Sequence, residues 1–395
     1  MGVKNSGELG MKYPYTLRSK LPKVGTTIFT KMSALAKQEH ALNLSQGFPE
    51  FDGGDELRKL VNAQMRKGNN HYASMLGVME LREAIAEKMQ DCYSAIYHPE
   101  KEITVTAGGT QAISTAIAAL VNEGDEVILF SPAYDCYAPN VEMQGAKPVF
   151  VDLTPDDYGI DWQNLKRVIN YKTKMIVINT PHNPTGAVLN AEHMEKLGKL
   201  LEGTEIILLS DEVYEHIIFD GLEHQSVARF PKLAERSVLV YSLGKTYHNT
   251  GWRLGYCIAP ENLMEEIRKV HQYSVFTCNT PMQYAFAQVL KDQSRYKELS
   301  GFYQEKRDLF RSLISSSNFR LLPCLGTYFQ LLDYSQITDE NDVVYAEKLT
   351  KENKIASIPV SVFYPNLTDN KVLRFCFAKE TDTLHKAAEI LNKIS

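Results

Sequence analysis

The residues best suited to do chemistry gather around Lys245. It lies in the run SLGKTYHNTGWRLG over 242–255, directly after a short apolar segment. The GKT at 244–246 suggests a phosphate-binding P-loop, but that loop needs a glycine five positions before Gly244, and Leu239 stands there. A lysine amine among phosphate-binding groups suits another chemistry, a Schiff base with the aldehyde of pyridoxal phosphate. Such a group also needs an acid beside its ring nitrogen, donors for its phosphate and an aromatic face to stack on. Each is present upstream. Asp211 opens DEVY at 211–214 after an apolar run and can keep the ring nitrogen protonated, which makes the ring an electron sink. Asn183, in NTPHNPTG over 179–186, can donate to the ring's phenolic oxygen. The GGT at 108–110 opens a helix whose free N–H groups suit phosphate, and Tyr134, in SPAYDCY over 131–137, offers a flat face.

These groups stand at the ends of short apolar runs at 103–106, 126–130, 148–153, 175–179, 206–209 and 238–241. Helical patterns separate most of the runs, among them 110–121, with Thr110 as N-cap, and 191–201. Runs buried on both faces and divided by helices predict an α/β fold with a mostly parallel sheet, whose strand ends bind ligands. Past about residue 290 the texture changes: a charged helix over roughly 296–315 leads into 321–333 and then 372–377, which reads as a smaller α+β domain. The expected layout is an N-terminal segment, 1–45, packing on the small domain, a large ligand-binding domain, 46–290, and a small C-terminal domain, 291–395.

Composition excludes several classes. The 395 residues carry 43 basic and 48 acidic side chains, a net charge of −5 that suits neither nucleic acid nor an anionic membrane. The longest apolar runs fall short of a membrane span, and the first twenty residues lack the apolar core of a signal peptide. Six scattered cysteines form no C-x-x-C pair, and the histidines show no metal spacing, so no metal is expected and a reducing cytoplasm is the default compartment. Met1-Gly2 with Ser6 fits the short N-myristoylation pattern, which also arises by chance.

Taken together and in order, these motifs make the whole chain resemble a fold-type I, class I/II pyridoxal-phosphate-dependent aminotransferase. The resemblance is nearest to the methionine aminotransferase and kynurenine aminotransferase/glutamine transaminase K group. It rests on S-x-G-K…T-G-W-R-x-G, N-x-P-x-N-P-T-G, D-E-V-Y and the late L-R-F-C-F-A-K, spanning 47–379. It implies a three-layer transferase fold with Lys245 as the cofactor-bonding lysine and proton shuttle. Asp211 would pair with the pyridinium, and Tyr214 and Asn183 would bond the phenolate oxygen. Gly109, Thr110, Ser242 and Arg253 would hold the phosphate, with Tyr134 stacked on the ring. Tyr72, in NHYASMLG over 70–77, would reach the phosphate of a neighbouring subunit, which implies a homodimer. Arg374 would grip the substrate α-carboxylate, with Asn183 and Gly47 beside it. Phe29 would match a bulky aromatic of the N-terminal segment, and Phe276 an aromatic wall lent by the partner. The family's usual Ala-Thr-Glu is Gly109-Thr110-Gln111 here, a change of little weight where backbone N–H groups and Thr110 bind.

The resulting expectation is a cytoplasmic, dimeric transaminase acting on amino and 2-oxo acids. With no second arginine evident for a dicarboxylate, methionine, glutamine and aromatic amino acids are the favoured donors. The nearest rival is a pyridoxal-phosphate lyase acting on cysteine S-conjugates. A ligand-sensing regulator would want a DNA-binding domain before Gln46, and a nicotinamide-binding protein would want G-x-G-x-x-G after a strand.

Overall fold

The alternation of apolar runs and helices builds one seven-stranded sheet. In the computed structural model, which describes residues 13–394, its strands are β1 (Ile103–Thr106), β2 (Glu126–Ser131), β3 (Lys147–Asp152), β4 (Thr173–Asn179), β5 (Ile207–Asp211), β6 (Ser237–Ser242) and β7 (Gly255–Ile258). Their spatial order is β1-β7-β6-β5-β4-β2-β3. Strands β2 to β6 run parallel, and β7 lies antiparallel between β1 and β6. The acylation pattern at 1–6 lies outside the described residues.

Four helices position the ligand-facing edge of this sheet: α1 (Ile28–Gln38), α2 (Met79–Tyr93), α3 (Gly109–Leu120) and α4 (Leu243–Thr246). Both faces of the strands are apolar, which gives three layers. Val127, Leu129, Val177, Leu209 and Val240 pack in one core with Ala112, Ile113, Ala116 and Ile117 of α3. Ile128, Ile176, Leu208 and Leu239 belong to the opposite core, with Met194 and Leu197 of the helix Ala191–Leu201. The i, i+1, i+4, i+5 spacing on α3 is the helical stripe that burial against a sheet requires.

Thr110 does not cap α3. The helix begins at Gly109, and Gly108 occupies the cap at φ +82°. The chain must turn sharply out of β1 beneath the Arg253 guanidinium, and a Cβ on Gly108 would stand 2.7 Å from Arg253 Nη2. Thr110 therefore falls in the first turn, and the Gln111 side chain reaches back to accept from the Ala107 N–H at 2.8 Å. Gly255 is equally constrained: a Cβ there would lie 2.6 Å from the Tyr241 carbonyl and 3.1 Å from the backbone of Gly108.

Beyond the large sheet, β8 (Arg320–Leu321), β9 (Phe329–Asp333), β10 (Ile358–Pro359) and β11 (Val372–Cys376) form a smaller antiparallel sheet in the order β10-β11-β9-β8. The stretch 321–333 is thus two strands, and the chain re-enters the second through Thr327 at φ +65°. The charged helix divides into Ser294–Lys297 and Leu299–Leu313. Near the N-terminal end, Leu42–Asn43 pair in parallel with Ile355–Ala356. No described helix is long and apolar enough to cross a membrane, and no described group of His, Cys, Asp or Glu is placed to hold a metal ion.

One buried ion pair fastens α2 to the segment that follows β5. Lys88 Nζ donates to Glu215 Oε1 at 2.5 Å and to the Tyr256 hydroxyl at 3.0 Å, and the Tyr93 hydroxyl also donates to Glu215. Lys88 and Glu215 are both buried. Removing one member strands the other charge out of water, so Glu215→Ala is expected to cost about 3–5 kcal/mol. Thermal or denaturant unfolding should register this loss, and pairing Glu215→Leu with Lys88→Met should recover much of it, since no charge is then stranded.

Candidate active site

The carboxyl ends of β4, β5 and β6 deliver Asn179, Asp211 and Ser242 to one cavity of about 300 Å³. Parallel strands end together on the same edge, and this is where such sheets open. Lys245 enters from α4, whose first turn is capped by the Ser242 hydroxyl accepting from Lys245 N at 3.3 Å. Gly109 and Thr110 enter from α3, Tyr134 from the loop after β2, and Asn183 and Tyr214 from the segments following β4 and β5. Arg374 comes from the middle of β11, Phe29 from α1, Gly47 from the loop before the helix Gly54–Arg66, and Arg253 from the turn into β7.

Asp211 is buried, and burial raises its carboxyl to about pH 6 although the Tyr137 hydroxyl donates to Oδ2 at 2.6 Å and the Val213 N–H to Oδ1 at 3.3 Å. Asn179 clamps this end of the sheet: its Nδ2 donates to the Asp211 carbonyl at 2.9 Å, and its Oδ1 accepts from the Asn183 N–H at 2.8 Å. The Asn183 amide is oriented in turn by Arg374, whose Nη1 donates to Asn183 Oδ1 at 2.7 Å. This leaves Asn183 Nδ2 as a donor into the cavity. Arg374 is 1% exposed and lies 3.9 Å over the Phe329 ring, with Phe29 and Phe363 also flanking it. Among the described residues its buried Nε has no partner, so the guanidinium keeps donor capacity for an arriving anion.

Lys245 Nζ donates to the Gly47 carbonyl and to the Tyr328 hydroxyl, each at 3.0 Å, and lies over the Tyr214 and Tyr328 rings. Burial pulls the ammonium down from 10.5 to about 8, helped by the nearby positive charges of Arg374 and Arg253. The amine is thereby far more nucleophilic near neutrality than that of a surface lysine.

Tyr72 and Phe276 do not join this cavity. They meet edge to face, with ring centroids 5.3 Å apart, on the outside of the subunit, where Tyr72 is 83% and Phe276 39% exposed. Several residues in contact with the site had no role in the sequence analysis, among them Tyr137, Asn179, Tyr328 and Phe329. The first two stand inside motifs singled out there, at the last position of SPAYDCY and the first of NTPHNPTG. Tyr328 and Phe329 carry no such flag.

The arrangement sorts into three functional ends. The first N–H groups of α3 at Gly109 and Thr110, the Thr110 and Ser242 hydroxyls and Arg253 form a donor set for a phosphate. A buried acid and the flat face of Tyr134 suit a protonated pyridine ring, and the Lys245 amine suits an aldehyde. The residues present therefore fit pyridoxal phosphate, and Arg374 remains for a carboxylate.

Comparison with known proteins agrees with this geometry. The model of the aminotransferase class I and II family matches residues 39–391. The chain is 46% identical to methionine aminotransferase of Escherichia coli K12 over 96% of its own length and 99% of that protein's. It is 32% identical to human kynurenine–oxoglutarate transaminase 3, over 99% of this chain and 92% of that one. A crystal structure of the E. coli protein YbdL, which identified a methionine aminotransferase function, superposes with a TM-score of 0.93 at 46% identity, covering 96% of this chain and all of the other.

The depressed Lys245 amine yields a prediction independent of any cofactor. A lysine must lose its proton before it can attack an aldehyde. Labelling of Lys245 by formaldehyde and cyanoborohydride, followed by peptide mass spectrometry, should therefore rise with pH about a midpoint near 8 and level off above it. A free lysine amine in solution, by contrast, is still gaining reactivity toward about 10.4.

Proposed function

The chain belongs to the class I and II aminotransferases and is a pyridoxal-phosphate-dependent transaminase of the fold-type I architecture; from that premise we propose that it takes its amino group from methionine or another apolar or aromatic amino acid, or glutamine, and passes it to a 2-oxo acid. One observation carries the residue assignments: Asp211, Lys245 and Arg374 face a single cavity as buried acid, depressed amine and carboxylate-binding guanidinium.

When bound, the cofactor supplies an aldehyde and an electron-withdrawing ring. Lys245 would hold the aldehyde carbon, while Gly109, Thr110, Ser242 and Arg253 hold the phosphate. Asp211 would accept the ring N–H, a pairing that offsets the unfavourable burial of its carboxylate. Asn183 Nδ2 and the Tyr214 hydroxyl would donate to the phenolic oxygen, and Tyr134 would stack on the ring. Displaced by the donor's amine, Lys245 Nζ is free to take the Cα proton, as a base whose pKa lies near working pH should. Arg374 and Gly47 orient the donor through its carboxylate, and two half-reactions in opposite directions complete the transfer.

Substrate preference follows from what lines the remaining space. Phe29, Phe48, Ile113 and Phe329 surround it, and among the described residues its only cations are Lys245, Arg253 and Arg374, all with duties already assigned. A side-chain carboxylate would lack a counter-charge, whereas a thioether or aromatic ring would bury against rings. The methionine aminotransferase of E. coli and the human kynurenine transaminase support this reading. We further assign Tyr72 and Phe276 to a neighbouring subunit's site in a homodimer, since they form an exposed aromatic pair away from their own cavity. The six cysteines are free thiols, as suits the reducing cytoplasm.

The test is a half-reaction. Excess L-methionine without a 2-oxo acid should discharge the protein's yellow absorbance, release one equivalent of 2-oxo acid per site and then stop until an acceptor is added. Steady ammonia release without acceptor would replace transfer by elimination. Arg374→Lys should lower kcat/KM for methionine at least about thirtyfold, since a buried, hydrogen-bonded charge loses its fork geometry.

A further inference from the structure

Tyr328 is a buried residue that the reading above does not use. It precedes β9, and the left-handed turn at Thr327 directs it toward the cavity wall. Its hydroxyl donates to the Gly47 carbonyl at 2.7 Å and accepts from Lys245 Nζ at 3.0 Å, while Nζ also donates to Gly47 O at 3.0 Å. The three atoms close a triangle that joins the entry to β9, the loop before the helix Gly54–Arg66, and α4. The ring is fully buried against Tyr214, Tyr303 and Phe329, so the hydroxyl is held by packing on several sides. Burial also drives its phenol well above the usual range, so it remains an O–H.

On the basis of the proposed role for Lys245, we propose that Tyr328 is a positioning residue, which with the Gly47 carbonyl seats the Lys245 amine once substrate has released it and aims its remaining valence at the substrate Cα. A neutral amine has two N–H bonds and one lone pair. With its hydrogens on Gly47 O and Tyr328 Oη, the lone pair is what remains for the Cα proton. After taking that proton, the amine has three N–H bonds, two still anchored and one to give away. The single phenolic hydrogen is committed to Gly47 O, so the oxygen faces Nζ as an acceptor in both states. Because Gly47 also stands beside Arg374 and Phe329, the same triangle links the seat of the base to the carboxylate grip.

The experiment compares the holoenzyme with Tyr328→Phe, which removes one oxygen and keeps the ring, and with Tyr303→Phe as control. Tyr303 packs on Tyr328, and its buried hydroxyl has no partner among the described residues. Three readouts are taken: cofactor content and the pH titration of the resting absorbance, KM for methionine, and the single-turnover rate with ordinary and α-deuterated methionine. Tyr328→Phe should keep cofactor content, resting titration and KM. Its single-turnover rate should fall about tenfold to a hundredfold, with a larger isotope effect, as a misplaced base slows proton transfer. Tyr303→Phe should match the wild type. An unchanged rate or isotope effect in Tyr328→Phe overturns the inference. So does a loss of folding, cofactor or resting titration, which would assign the hydroxyl to the resting structure. Absence of any methionine half-reaction in the wild type would instead refute the transaminase reading of the site.

Discussion

Asp211 holds a carboxyl group out of water at the end of a parallel strand, and that placement costs free energy unless other groups meet it. Much of the neighbourhood is arranged to do so. Tyr137 donates to one oxygen, the Val213 N–H to the other, and Asn179 fixes the carbonyl behind them. Even so, burial leaves the acid near 6, poised to become fully charged when a cation arrives beside it. From Asn179 the constraint passes to the backbone of Asn183, then through its side chain to Arg374. The acid of the large sheet and the guanidinium of the small sheet are therefore set relative to each other by a continuous run of hydrogen bonds.

The parts of the site legible in the sequence were those whose chemistry demands a residue type at a strand end. Lys245, Asp211 and Asn183 could be named because a Schiff base, a pyridinium partner and an oxyanion donor each require that kind of group, whereas Arg374, in the middle of β11, was named through the family resemblance. The sheet was legible for a related reason: its strands are apolar on both faces and so read as continuous runs. Strand β7 escaped because GYCI is only four residues long and stands directly behind a motif rich in glycine and polar residues. Helix α3 was misplaced by one residue because the constraint at Gly108 is a long-range approach of Arg253, invisible to local capping rules. Tyr328 is one of 21 tyrosines, and what brings its hydroxyl to Lys245 is a positive φ at Thr327 together with the position of a loop about 280 residues earlier. Tyr137 and Asn179 sat inside recognised motifs. Their shared partner Asp211, however, lies on β5, and spacing along the chain does not report contacts of that kind.

The smaller sheet and the segments beside it bring to the cavity the groups that face the substrate. Arg374, Phe329 and Tyr328 all come from β11 and the entry to β9, and Phe29 from α1, whose neighbouring strand Leu42–Asn43 pairs with Ile355–Ala356. Arg374 is anchored by the faces of Phe329, Phe29 and Phe363 as much as by hydrogen bonds. A cation held this way can stay dehydrated, which strengthens its attraction for an incoming carboxylate.

The contact of Gly108 with the Arg253 guanidinium, and of Gly255 with the Tyr241 carbonyl and the Gly108 backbone, divides the molecule's freedom to diversify. At the phosphate end Gly255 meets main chain and Gly108 is held at φ +82°, so neither position takes a side chain without rearrangement. At the other end the walls are single aromatic side chains from α1 and β9, each exchangeable without moving the backbone. Lineages built on this scaffold can accordingly explore new donors one ring at a time while the cofactor's seat is inherited whole.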